Sequence, residues 1–263
     1  MTNERLKNAY CEILKDIDPR YLGKPEMRPG GLSGLSGLFL SSVSENYSGA
    51  QNKVMIIGCE TRGWEPLGKS EFETTDAYVK SAMNTHNNFF KKELLGKKGR
   101  GLSFHDFTRA VEKIAGKDGL IYSNLFCFSW GKKKGSPIKS GDDVFPVVKE
   151  FSRKILNAQL EILKPDYIVF ANGIASAPYR REFFPHGEGG RCTNPKSYPE
   201  RVAVEYFWEF MLDEKIKCFR IHHPSARSLN AVKGRNFTLE LLADAVSAKA
   251  GVGATELHVP LAS

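Results

Sequence analysis

Lys53-Val-Met-Ile-Ile-Gly-Cys-Glu-Thr-Arg-Gly-Trp64 decides how the rest of the chain is read. The apolar run 54–57 is too short for a helix and rich in β-branched residues, so it reads as a buried strand. Gly58 closes the run, and Glu60 follows two residues later, ahead of Arg62 and Gly63. In an open parallel sheet, ligands bind where loops leave the carboxyl ends of strands. Glu60 then stands at the mouth of a site, on a turn whose glycines let backbone approach a ligand. An ordinary polar turn accounts for the same residues, and only a second motif downstream separates the two readings.

Outward from this strand, three further strands are expected, over 119–128 with Asn124 toward the end, 166–173 and 216–223. Helical periodicity is expected over 3–16, 74–95, about 104–115, 143–163, 200–214 and about 235–249. Ser103 is the expected cap of the third helix, with Asp106 completing an approximate capping box. Lys164-Pro165 stops the fourth. The stretch 23–37, rich in Gly, Pro and Ser, and the stretch 176–199 read as irregular loops. Strands that alternate with helices favour a parallel sheet covered on both faces. No break in composition divides the chain, so one domain is expected over 1–263. It comprises an N-terminal helix and loop through 50, a core over 51–249 and a small-residue tail over 250–263.

Composition narrows the partners. Hydrophobic residues make up 41% and charged residues 26%, the balance of a soluble globular protein. No apolar run is long enough to span a bilayer, and no basic-then-apolar leader opens the chain. A cytoplasmic monomer without a membrane partner is expected. Five cysteines lie scattered with no C-x-x-C pair, which favours free thiols over a zinc or iron–sulfur framework; no cofactor is expected. The net charge of +8 and its clustering at Lys91-Lys92, Lys97-Lys98-Gly-Arg100, Lys132-Lys133-Lys134 and Arg180-Arg181 favour a polyanion, nucleic acid first. Solvated faces that add only solubility are the plainer account of any single cluster.

The second motif is His222-His223-Pro224-Ser225-Ala226-Arg227-Ser228, at the end of the last expected strand. It sets an imidazole opposite Glu60, a pairing suited to acid–base or electrostatic work. With it the chain resembles the uracil-DNA glycosylase superfamily. Gly58-Cys-Glu-Thr-Arg-Gly63 looks like that family's first motif and His223-Pro-Ser-Ala-Arg-Ser228 like its last. Tyr122-Ser-Asn-Leu-Phe126 is similar to the strand that carries its base-reading asparagine, and Leu163-Lys-Pro-Asp-Tyr-Ile-Val-Phe170 to its third core strand. The likeness spans roughly 50–245.

The resemblance implies a three-layer α/β/α sandwich around a four-stranded parallel sheet. It also implies hydrolysis of the N-glycosidic bond of a flipped-out pyrimidine in double- or single-stranded DNA, which leaves an abasic site. Glu60 is implied to stabilise positive charge on the sugar and to handle water, and His223 to stabilise the departing base. Asn124 is implied to bond the base edge, with Phe104, Phe126 and Trp64 as unresolved candidates for the stacking ring. Ser225, Arg227 and Ser228 are implied to hold DNA, with Arg227 where the family places an apolar gap-filler; Lys132, Lys133 and Lys134 extend this basic face. The chain departs from the pattern at Glu60, where the family has aspartate, and at Arg62, where a tyrosine excludes substituents at the uracil C5 position. The departing base is therefore expected to be uracil or a 5-modified cytosine. The second would suit anti-phage defence and the first DNA repair. A non-catalytic DNA-binding module on the same fold is the competing expectation. No G-x-G-x-x-G, phosphate-loop or Gly-x-Ser-x-Gly motif supports another class of α/β enzyme.

Overall fold

A computed structural model describes residues 1–22, 30–61, 64, 72, 74–97, 103–131 and 135–251. The quoted stretch forms β1, Val54–Gly58, buried along its whole length. It lies between β2, Leu120–Asn124, and β3, Tyr167–Phe170, parallel to both. On the far side of β3 runs β6, Ile216–Ile221, again parallel. A strand with neighbours at both edges and helices over both faces has no polar side, which is why 54–57 is continuously apolar.

Successive side chains of β1 point to opposite faces. Met55 and Ile57 enter one core with Leu6, Tyr10 and Leu14 of α1, Thr2–Leu14. Residues of α2, Thr75–Phe89, and α4, Phe145–Leu163, fill the same core. Val54 and Ile56 enter the opposite core with Phe107 and Val111 of α3, Ser103–Ala115, and Phe237 and Leu242 of α6, Leu229–Lys249. The result is helix, sheet, helix in three layers. Each buried aliphatic side chain contributes about 1.5–3 kcal/mol from area removed from water.

The sheet differs from the expected one. Among the described residues it has six strands in the order β2-β1-β3-β6-β5-β4 and is mixed, not four-stranded and parallel. The segment expected as a helix over 200–214 contains β5, Phe207–Leu212, antiparallel to β6. Phe207, Trp208 and Phe210 suit a pleated, half-buried surface better than a helix. The chain reverses through Asp213 and Glu214, both left-handed at φ 51° and 59°, in a turn without the Gly or Asn that usually marks one.

The expected loop 176–199 contains α5, Ala177–Phe183, and β4, Cys192–Lys196. Pro195 and a register shift between Thr193 and Lys196 confine β4 to the sheet edge, where a missing N–H is tolerated. Ser103 lies inside α3, not ahead of it. Helix α6 begins six residues before the expected start, because Gly234 is not a break. A side chain there would meet the Tyr206 carbonyl oxygen at 2.8 Å, so glycine lets the helix approach. Among the described residues no helix is long and apolar enough to cross a membrane.

Candidate active site

The carboxyl ends of β1, β2 and β6 open onto a cavity of about 530 Å³. Cys59, Glu60 and Thr61 enter it from β1, Tyr122 from β2, and His223 and Ser225 from β6. The end of α2 and the π-turn Phe90–Leu94 supply Phe89 and Leu94, and the first turn of α3 supplies Phe104 and His105. The two motif residues singled out by sequence, Glu60 and His223, therefore face one space although β3 separates their strands. Gly173, at the exit of β3 with φ +76°, passes the His223 Cβ at 3.6 Å from where its own would stand.

His223 has a defined orientation. The Ser225 N–H donates to Nδ1 at 3.2 Å, and Ser225 Oγ lies 2.7 Å from the same nitrogen. An accepting Nδ1 puts the proton of the neutral imidazole on Nε2. The Phe104 ring stacks against the imidazole, with centroids 5.6 Å apart and planes 27° apart. The loop that carries the histidine is fixed from below. Ala226 N–H closes a turn on His223 O at 2.8 Å, and the Arg235 guanidinium bonds Pro224 O and Ala226 O at 2.7 and 2.8 Å. Ser228 caps α6 by accepting from Ala231 N–H at 3.3 Å. Arg227 is exposed beside it.

Glu60 keeps Oε2 buried without a hydrogen-bond partner among the described residues. Burial, and then the adjacent Glu60 carboxylate, hold the Cys59 thiol far above its ordinary range, so it is protonated and unreactive. Tyr122 is also pushed up, chiefly by burial, and stays a phenol. Its hydroxyl donates to Asn124 Oδ1 at 3.2 Å, while Asn124 Nδ2 donates to Thr61 Oγ1. Asn124 is paired with Gly58 in the sheet, and its Oδ1 occupies the space a Gly58 side chain would need.

Asn124 thus lies behind Thr61 and Tyr122 and does not line the cavity. Of the three candidate stacking rings, only Phe104 faces the cavity. Phe126 is fully buried among Phe145, Tyr179 and Phe183. Trp64 is buried one layer back, edge-on to Phe39 and Phe89, with its indole N–H on Leu38 O at 3.1 Å. Arg62, Lys132, Lys133 and Lys134 lie outside the described residues.

Sequence reasoning missed Tyr122, His105, Phe89 and Arg235. Tyr122 had a signal, since it stands two residues before Asn124 on the same side of β2. The others depend on how distant segments meet. Among the described residues no group of three or more His, Cys, Asp or Glu could hold a metal ion. No protein-family model and no curated protein matches the chain.

Proposed function

We propose that the chain is a DNA glycosylase that hydrolyses the N-glycosidic bond of a flipped-out pyrimidine, either uracil or a 5-modified cytosine. The observation that carries this reading is the convergence of Glu60 and His223 on one cavity whose wall includes the Phe104 ring. The cavity volume lies within the range of small-ligand sites, about 300–1,000 Å³, and suits one base with a substituent.

In this reaction the bond between C1′ of the sugar and the base nitrogen breaks with its electron pair leaving on the base. Positive charge grows on the sugar ring. The Glu60 carboxylate stabilises it and accepts a proton from the water whose oxygen bonds to C1′. Negative charge on the base falls on a carbonyl oxygen, toward which His223 presents Nε2–H. Such a donor, fixed before the reaction, needs no reorganisation as charge develops. Phe104 supplies the stacking face that replaces neighbouring bases. Asn124, whose amide is engaged with Thr61 and Tyr122, positions that wall rather than reading the base. Flipping the base out costs a few kcal/mol, met by contacts to phosphates from the β6–α6 loop and by the basic surface.

The test is incubation with duplexes carrying uracil, thymine, 5-hydroxymethylcytosine or its glucosylated form, followed by hot alkali. Strand scission at one of these bases is expected, and its loss in Glu60→Gln with DNA affinity retained. If every duplex binds and none is cut, the protein is a non-catalytic DNA-binding module.

A further inference from the structure

Glu60 is not the only group in the cavity with an unmet hydrogen-bonding demand. Among the described residues six buried side-chain polar atoms lack a partner, and two of them, Glu60 Oε2 and His105 Nδ1, belong to residues that line this cavity. A buried polar atom left unpaired costs about 1–3 kcal/mol, a cost that an apolar residue of similar size avoids. Such an atom at a ligand cavity is explained when the ligand supplies the partner.

His105 follows Phe104, which stacks on His223, so it stands next to the surface on which a base would lie. Its ring meets Phe89 edge-on, with centroids 6.2 Å apart, and this contact fixes the plane without using Nδ1. Burial first, then the Arg109 guanidinium, lowers its pKa. Lys97 adds to this, and Asp106 and Glu93 oppose it, so at pH 7 the imidazole is neutral. A neutral ring offers either an N–H or a lone pair at Nδ1, according to its tautomer. Meanwhile Asn124 gives one Nδ2 proton to Thr61, takes one hydrogen bond from Tyr122 at Oδ1, and does not line the cavity.

We infer that His105 Nδ1 is the hydrogen-bonding contact for the edge of the base in this cavity, a specificity-determining group in the place expected of Asn124. Its partner is a ring carbonyl or N–H of the pyrimidine, or a hydroxyl carried at C5. The assignment rests on the glycosylase reading and adds to it the residue that discriminates among bases. His105 transfers no proton in it. Its worth lies in the difference between a base that satisfies Nδ1 and one that leaves it buried and unpaired.

The test uses duplexes with a single 2′-fluoroarabino-uridine or its 5-hydroxymethylcytidine counterpart. The fluorine disfavours positive charge on the sugar, so binding is measured without turnover. Wild type is expected to bind one of them at least tenfold more tightly than the plain duplex. His105→Leu should abolish that preference and leave plain-duplex binding unchanged. His105→Asn, whose amide reaches close to the position of Nδ1, should restore most of it. His105→Leu should also raise the denaturation midpoint, because it removes an unpaired buried atom; a purely structural histidine would lower it. Preference retained in His105→Leu, or a lowered midpoint, overturns the assignment alone. No preference in wild type for either probe, together with no alkali-labile product from any base, overturns the glycosylase reading and this inference with it.

Discussion

The two halves of the sheet are built differently. In the parallel half, β2-β1-β3-β6, the strands run the same way, so their carboxyl ends and following loops gather at one edge. That edge holds Glu60, Tyr122 and His223. In the antiparallel flank, β5 and β4 alternate in direction, and their ends are divided between two edges. The flank holds a buried carboxylate too, Glu209 on β5, but it is matched. Tyr198 donates to it at 3.0 Å, and Lys217 and Lys196 stand at 3.3 and 3.8 Å. Glu60 Oε2 has no partner among the described residues. A carboxylate matched at both oxygens serves the fold; one that keeps an unpaired oxygen at a cavity can still take a partner.

The sharpest way to break this contrast is to neutralise each carboxylate in turn. Glu60→Gln should lower base excision by about a thousandfold, about 4 kcal/mol of transition-state stabilisation, with the urea midpoint unchanged or slightly raised. Excision within tenfold of wild type would remove Glu60 from the chemistry and leave the two halves functionally alike.

The cover of the parallel half makes a second, pH-dependent prediction. His86 of α2 is buried, with Nδ1 accepting from Ser42 N–H at 3.0 Å and Nε2 donating to Tyr122 O at 3.2 Å. Burial holds it neutral, with its pKa lowered to about 4 from an ordinary 6.5. The folded state therefore binds fewer protons than the unfolded state between these values. Stability is complete above about pH 6.5 and falls by about 3 kcal/mol as the pH drops to about 4. Urea titrations across that range should show the loss, and His86→Asn should flatten it. An equal slope in the variant would assign the acid sensitivity elsewhere, the flank included.

The contrast between halves also explains what was legible. Glu60 and His223 could be found because each follows a strand, and in a parallel sheet the carboxyl ends of the strands meet at one edge. The flank was misread for the same physical reason in reverse. Its strand β5 is aromatic and carries the charged Glu209, its turn at Asp213-Glu214 lacks a glycine, and β4 contains a proline; none of these is a pattern of buried parallel strands. His105 was hidden because nothing in Ser103-Phe104-His105 says which face of α3 meets β1. The engagement of Asn124 with Thr61 and Tyr122 was hidden because it depends on side chains from two strands meeting across Gly58.

Glu209 gives the third prediction, smaller than the first two. Glu209→Ala should cost about 1–3 kcal/mol in chemical denaturation through the lost hydrogen bond and ion pairs. Base excision below the unfolding midpoint should be unaffected. A fall in turnover at full folding would mean that the flank reaches the site, through the β5–β6 pairing or the Glu205 carbonyl that His222 contacts at 3.0 Å.

The smallest effect is expected at the rim. Arg227 is exposed on the loop between β6 and α6, next to the hydroxyl that caps the helix. Among the described residues no ion pair or hydrogen bond depends on its charge, so Arg227→Ala should leave the denaturation midpoint within about 0.5 kcal/mol of wild type. If the guanidinium meets a phosphate, its removal weakens binding to every duplex about equally and lowers the slope of log affinity against log salt by about 1. If it instead fills the gap left by the flipped base, the salt slope stays and the loss is confined to the duplex that carries the excised base. Affinity measured at several salt concentrations, on the plain and the base-bearing duplex, separates these outcomes. An unchanged affinity on both duplexes would leave the carboxyl-end edge of the parallel half with a cavity but without this part of its DNA-binding rim.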